Sequence, residues 1–222
     1  MKKIFKTYCL VIISCFVVLS ASARDGVAVV IDAVSYEKAR TELDDYVHAL
    51  EKKQNYKVYI VVDKWHVPDS IRTRLISLHE KKRDAIVGAV LIGDIPIPMV
   101  RDAQHLTSAF KMDQSRDRRE SSVPSDRFYD DFGLKFKSLG KDTELPYWYY
   151  SLSADGHQRV CPDIFSGRIR PTDAGGVSRY DKLRAYLRKA TAAKTQPEKM
   201  SSVFVFTGDG SISESKPAHI DE

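Results

Sequence analysis

The residues Ile86-Val87-Gly88-Ala89-Val90-Leu91-Ile92-Gly93-Asp94 constrain the fold more than any other stretch, because an unbroken apolar run stops abruptly at Gly-Asp. Such a run predicts a strand buried on both faces in the middle of a parallel sheet. Ligands of open α/β sheets gather beyond the carboxyl ends of the strands, so Asp94 falls where a site would form. Residues 27–32 and 56–63 also end in aspartates, Asp32 and Asp63, and residues 202–207 run into Gly208-Asp209. Four acids are therefore expected on one rim.

Between these runs the apolar spacing changes from continuous to helical. Ser35 and Glu37 mark a helix start, with Tyr36, Ala39, Leu43, Tyr46, Val47 and Leu50 on one face. Pro68-Asp69-Ser70 opens a second helix, whose Ile71, Leu75 and Leu78 repeat at helical spacing. The order is β-α-β-α-β, and right-handed crossovers make the strands parallel. The expected fold is α/β, a mainly parallel sheet with helices on both faces. A nucleotide-binding version of it is disfavoured, because no glycine-rich phosphate loop follows the first strand.

Residues 1–23 read as a removable leader: Lys2, Lys3 and Lys6 precede the apolar stretch 9–19, and Ala21-Ser22-Ala23 supplies small residues for cleavage. Ile13-Ser14-Cys15 also fits a lipid-attachment site, but the apolar stretch continues to Leu19, which favours cleavage after Ala23. The protein is expected to be exported, to periplasm, cell surface or medium, with no lasting membrane span. Cys9 and Cys15 leave with the leader, so Cys161 stands alone and no intrachain disulfide is expected. Three lysines leave too, and the formal charge falls from +5 to +2. The run Arg116-Asp117-Arg118-Arg119 is broken by an acid and lacks interleaved aromatics, so it reads as a solvated loop and nucleic acid is not an expected partner.

Residues 24–222 form one expected domain, with residues 100–160 as an inserted loop and hairpin. Ile95-Pro96-Ile97-Pro98 prevents an immediate helix, and residues 100–123 read as a functional lid or disorder. Phe128-Tyr129-Asp130-Asp131-Phe132 and Tyr147-Trp148-Tyr149-Tyr150 read as edge strands or a hairpin linked through Gly140. Residues 163–169 form the next expected strand, and Val177, Tyr180, Leu183, Leu187 and Ala190 the buried side of the next helix. Arg168 and Arg170 flank Ile169 and are expected on one side, pairing with acids such as Asp163.

Three segments taken together resemble the first half of the catalytic domain of the gingipain family of cysteine peptidases. They are Ala89-Val90-Leu91-Ile92-Gly93-Asp94-Ile95-Pro96, Pro124-Ser125-Asp126-Arg127-Phe128-Tyr129-Asp130-Asp131 and Pro162-Asp163-Ile164-Phe165-Ser166-Gly167-Arg168-Ile169. Their order, the Asp155-Gly156 turn and an amphipathic helix ending near Lys194 match, and the resemblance covers roughly residues 56–222. It implies a caspase-like fold, present here as an incomplete N-terminal portion, and peptide-bond hydrolysis in a protein or peptide substrate with no required cofactor. The family's catalytic His precedes a Gly at the end of a later strand, and its Cys ends the strand after that. None of the six histidines here precedes a Gly, and Cys161 lies before the Gly167-Arg168 strand, so the portion is expected to be inactive alone.

By position, Asp209 resembles the family's acid that orients the catalytic His, although Asp209-Gly210 also fits a plain turn. Asp221 or Glu222 falls near the acid that lines the pocket for a basic substrate side chain. Asp126, Asp130 and Asp131, with Asp155, could offer hard oxygens to calcium, against the plainer reading of a solvated edge. His157 and Cys161 are disfavoured as a dyad because Pro162 opposes a helix there. Trp65 and Trp148 read as core or interface aromatics. The alternative function is a non-catalytic secreted binding protein on the same scaffold, using residues 100–123 and 147–150.

Overall fold

The computed structural model describes residues 23–106 and 112–195. Its chain begins β1 (Gly26–Asp32), α1 (Ala33–Lys38), α2 (Arg40–Lys53), β2 (Lys57–Asp63), α3 (Pro68–His79) and β3 (Ile86–Ile92). There follow β4 (Ile97–Arg101), α4 (Arg118–Ser121), β5 (Val123–Pro124), α5 (Arg127–Asp130), β6 (Phe136–Lys141), β7 (Tyr147–Leu152), β8 (Phe165–Ile169) and α6 (Arg179–Thr195). The strands form a parallel sheet ordered β2-β1-β3-β8 and a second, mixed sheet ordered β5-β4-β7-β6.

The apolar runs make the parallel sheet, as their patterns predict. β1 is buried along its whole length, and strand alternation sends its side chains to two cores. Val29 and Ile31 pack with Leu43 and Leu50 of α2 and Leu183 and Leu187 of α6. Ala28 and Val30 pack on the other face with Ile71, Leu75 and Leu78 of α3. Helices therefore cover both faces. The expected first helix is interrupted at Ala39, where φ is −129°, and α1 starts one residue after β1 because Asp32 caps it. Val177, expected on the buried side of α6, precedes that helix and is exposed.

The mixed sheet departs from the sequence reading. Residues 100–123 are not wholly loop: β4 runs to Arg101, and α4 and the first residue of β5 fall within its second half. Pro98 lies in β4 opposite Trp148, where β4 and β7 run parallel. Phe128, expected in an edge strand, lies in the single helical turn α5; the strand that pairs antiparallel with β7 is β6. Gly140 does not link a hairpin but sits inside β6 at a register shift, with φ +86°. Burial explains the exchange: Phe128 and Tyr129 dock with Tyr150 on Leu75 and Leu91, so their aromatic character serves the core rather than an edge.

Arg72 on α3 fastens this region to the first sheet. Its guanidinium donates to the carbonyls of Phe128, Asp131, Phe132 and Leu134 and lies 5.3–5.8 Å from the ring centres of Phe128, Phe132 and Phe136. Those carbonyls belong to no ladder, and a buried carbonyl without a donor is costly. Residues 1–22 of the expected leader, residues 202–207, Asp209, Asp221 and Glu222 lie outside the described residues. No helix among the described residues is long and apolar enough to cross a membrane.

Candidate functional site

The chain leaves β1 for β2 on one side and returns across it to β3 on the other, so the strand order reverses between β1 and β3. The crevice beyond such a reversal is the usual ligand position in an open α/β sheet. Asp32 and Asp63 end adjacent strands in register, and Asp94 follows β3, so three of the four expected acids share the rim. They do different things. Asp32 is buried, accepting the Ser35 amide at 2.9 Å and the Asp94 amide at 2.8 Å. Asp63 accepts the Lys64 amide, and Asp94 pairs with Arg179 at 2.9 Å. Gly93 makes the clamp possible: its φ is +80°, and a Cβ there would stand 2.0 Å from the Asp32 carboxylate.

Beside this rim lies a cleft of about 340 Å³, lined by Trp65, His66, Asp94, Ile95, Pro96, Ile97, Lys141, Pro146, Trp148 and Arg170. A volume near this value falls at the lower end of small-ligand pockets. One wall comes from the segments after β2, β3 and β8, and the other from the β6–β7 hairpin. Both indoles are held by backbone: Trp65 Nε1 donates to the Ile31 carbonyl at 3.0 Å, and Trp148 Nε1 to the His66 carbonyl at 2.9 Å. Their rings are thus fixed before any ligand arrives. The sequence placed both tryptophans in a core or interface; the signal it lacked was that residues 82 positions apart would meet.

On the far side of the strand connection, the three motif segments form one network. Arg168 grips Asp126 with two hydrogen bonds, 3.0 and 2.7 Å, and donates to the carbonyls of Ile95 and Pro96. Tyr129 Oη also donates to the Pro96 carbonyl, at 2.8 Å. Ser166 donates to Asp130 at 2.5 Å, while Asp163 donates its amide to the Asp130 carbonyl and accepts the Phe132 amide. Asp163 is therefore not the acid that pairs with Arg168; Asp126 is. Arg170 faces Asp94 at 4.0 Å.

Asp126, Asp130 and Asp131 point to different partners. Asp130 pairs with Arg127 at 2.5 Å, its other oxygen is buried without a partner among the described residues, and burial pushes its carboxyl up to about 6 against the opposing pull of Ser166 and Arg127. Asp131 accepts the amides of Leu134 and Cys161, and Asp155 accepts the Ser153 hydroxyl. Among the described residues no three His, Cys, Asp or Glu side chains gather as a metal-binding group. Cys161 is free and exposed, and His157 packs against Gly133.

A further buried acid was not singled out from the sequence. Asp142 follows β6 and accepts the amides of Glu144 and Leu145, Nε and Nη2 of Arg119 and the Tyr149 hydroxyl. The Glu144 amide, followed by Arg119 and the other donors, holds its carboxyl well below the usual carboxylate range. Its neighbours Tyr149 and Tyr150 are buried, so of the 147–150 group Trp148 reaches the cleft. Comparison with family models, with curated proteins and with solved structures found no match.

Proposed function

We propose that this chain is the N-terminal portion of an exported, gingipain-like cysteine peptidase domain, carrying the scaffold and part of the substrate side but not the nucleophile. The observation that carries the reading is the convergence of the three motif segments. Each is weak alone, yet Arg168 of the third donates to Asp126 of the second and to the Ile95 carbonyl of the first, and Ser166 of the third donates to Asp130 of the second. Residues scattered over three sequence segments that share one hydrogen-bond network are better explained as a single inherited unit than as three chance matches.

The chemistry of that family needs a thiolate beside an imidazole. Among the described residues no hydrogen bond joins the Cys161 thiol to a histidine, and the chain alone should not hydrolyse peptides. The expected acids, Asp209 and one of Asp221 or Glu222, would act with groups supplied by a longer polypeptide. The test compares the full chain with a version extended by the residues encoded downstream of codon 222, using fluorogenic peptides with basic side chains. Hydrolysis by the extended protein alone, abolished by iodoacetamide, is the expected result. A downstream frame with no strand ending in His-Gly and none ending in Cys would overturn the proposal.

A second reading, a secreted binding protein without catalysis, is favoured by the cleft between Trp65 and Trp148, whose lining brings two indoles together with basic side chains. Binding there without activity in any extended form would select it.

A further inference from the structure

The geometry points to the Trp65–Trp148 cleft as a binding site for an extended peptide segment that carries acidic side chains. This goes beyond the peptidase reading, because binding here needs neither a nucleophile nor a further domain.

Charge is the first reason. Three basic side chains, His66, Lys141 and Arg170, line the cleft against one acid, Asp94. That acid is already met by Arg179 at 2.9 Å, whereas Arg170 stands 4.0 Å from it. The Lys141 ammonium and the His66 ring have no hydrogen bond or ion pair with the other described residues. Among the described residues Lys141 is thus a cation without a carboxylate partner, and Arg170 meets only Asp94, at 4.0 Å, in a concave site where an incoming carboxylate would be attracted by both.

Shape and polarity are the second reason. Pro96 and Pro146 have no amide hydrogen, and the carbonyls of Ile95 and Pro96 are already taken by Arg168 and Tyr129. These positions offer few free backbone partners, and the two indoles give the cleft flat faces among its charged groups, which suits an extended, proline-containing chain rather than a hydroxyl-rich sugar. Fixed indoles make the aromatic surface at little further entropic cost on binding.

The chain contains two tryptophans, and both line the cleft, so intrinsic fluorescence reports on this site. The full chain would be titrated with an acetylated, amidated peptide of alternating glutamate and proline, alongside its glutamine-proline and lysine-proline counterparts and a uronic-acid oligosaccharide. A saturable change in emission with the glutamate peptide is expected, about tenfold weaker with the glutamine peptide. It should weaken further with added salt. Arg170→Ala with Lys141→Ala should weaken glutamate-peptide binding by about tenfold. Lys81→Ala, which removes a cation outside the cleft, should leave it unchanged; circular dichroism establishes that each variant is folded. Equal binding of the lysine peptide, an unchanged affinity in the double variant, or binding of the uronate in preference to the peptide would overturn the proposal. Any of these results leaves the peptidase reading standing, since that depends on the extended polypeptide.

Discussion

The two sheets of this protein are held by different physics. In the parallel sheet the ladder pairs the backbone, and aliphatic side chains from both faces of β1 and β3 fill two helix-covered cores. In the mixed-sheet region much of the chain runs outside any ladder, and arginines complete it. Arg72 takes four carbonyls, Arg118 takes those of Leu139 and Lys141, and Arg168 takes those of Ile95 and Pro96. Hydrophobic burial is non-directional and forgiving of small shifts, whereas a guanidinium that serves several fixed acceptors specifies one arrangement. The comparison teaches that the regular half rests on area, whereas the irregular half adds directional bonds to its own apolar cluster of Val100, Ala103, Leu134 and Leu152.

The largest effect expected from this contrast comes from the aliphatic core. Leu75→Ala should cost about 4 kcal/mol, measured by urea unfolding, with little dependence on salt. Arg72→Met keeps the aliphatic stem but strands four carbonyls, and should cost about 3 kcal/mol. Hydrogen exchange should rise first in β6 and β7 (136–141 and 147–152) while β1 and β3 stay protected. Equal loss of protection in both sheets would break the distinction between them.

Gly93→Ala should cost about 2 kcal/mol, because a left-handed φ and a clash with Asp32 act together. Since Asp32 also holds the Asp94 amide, this variant should disturb the cleft as well as the fold, visible as a shift in tryptophan emission. A silent spectrum would separate the rim from the cleft.

The smallest effect concerns two of the buried acids, Asp130 and Asp142, whose signs are opposite. The Asp130 carboxyl is raised to about 6, so the folded protein binds its proton more tightly than the unfolded chain. Stability from this group is therefore present at low pH and lost as pH rises from the ordinary carboxylate range through about 6. Asp130→Asn should raise stability by about 1 kcal/mol above pH 7, after allowance for solvent screening, and the gain should vanish in acid. The Asp142 carboxyl is lowered, so its contribution is present above the ordinary carboxylate value and lost as pH falls below it. Asp142→Asn should flatten the acid limb of the stability curve; an unchanged limb would show that other groups govern acid unfolding.

Much of the parallel sheet was legible because its signals are local. The run from Ile86 to Ile92, the helical repeat of Ile71, Leu75 and Leu78, and the aspartates at strand ends all lie within one element each. Arg72 shows why the remainder was not. It looks like an ordinary charged position on an amphipathic helix, and its acceptors lie 56–62 residues away. Phe128 was misplaced because aromatic residues favour strands in general, while here its ring packs 4.3 Å from that of Tyr150, centre to centre.

The amino-acid sequence by itself determined which segments become the buried strands, which helices cover them, and that acids gather at the carboxyl rim, because periodicity and chain direction suffice for those. Only the tertiary structure decided which acids are occupied and which cations are left facing a cleft. Those outcomes depend on contacts such as Trp148 with His66, Arg168 with Asp126 and Arg179 with Asp94. They join residues distant along the chain, and no local pattern encodes where such partners meet.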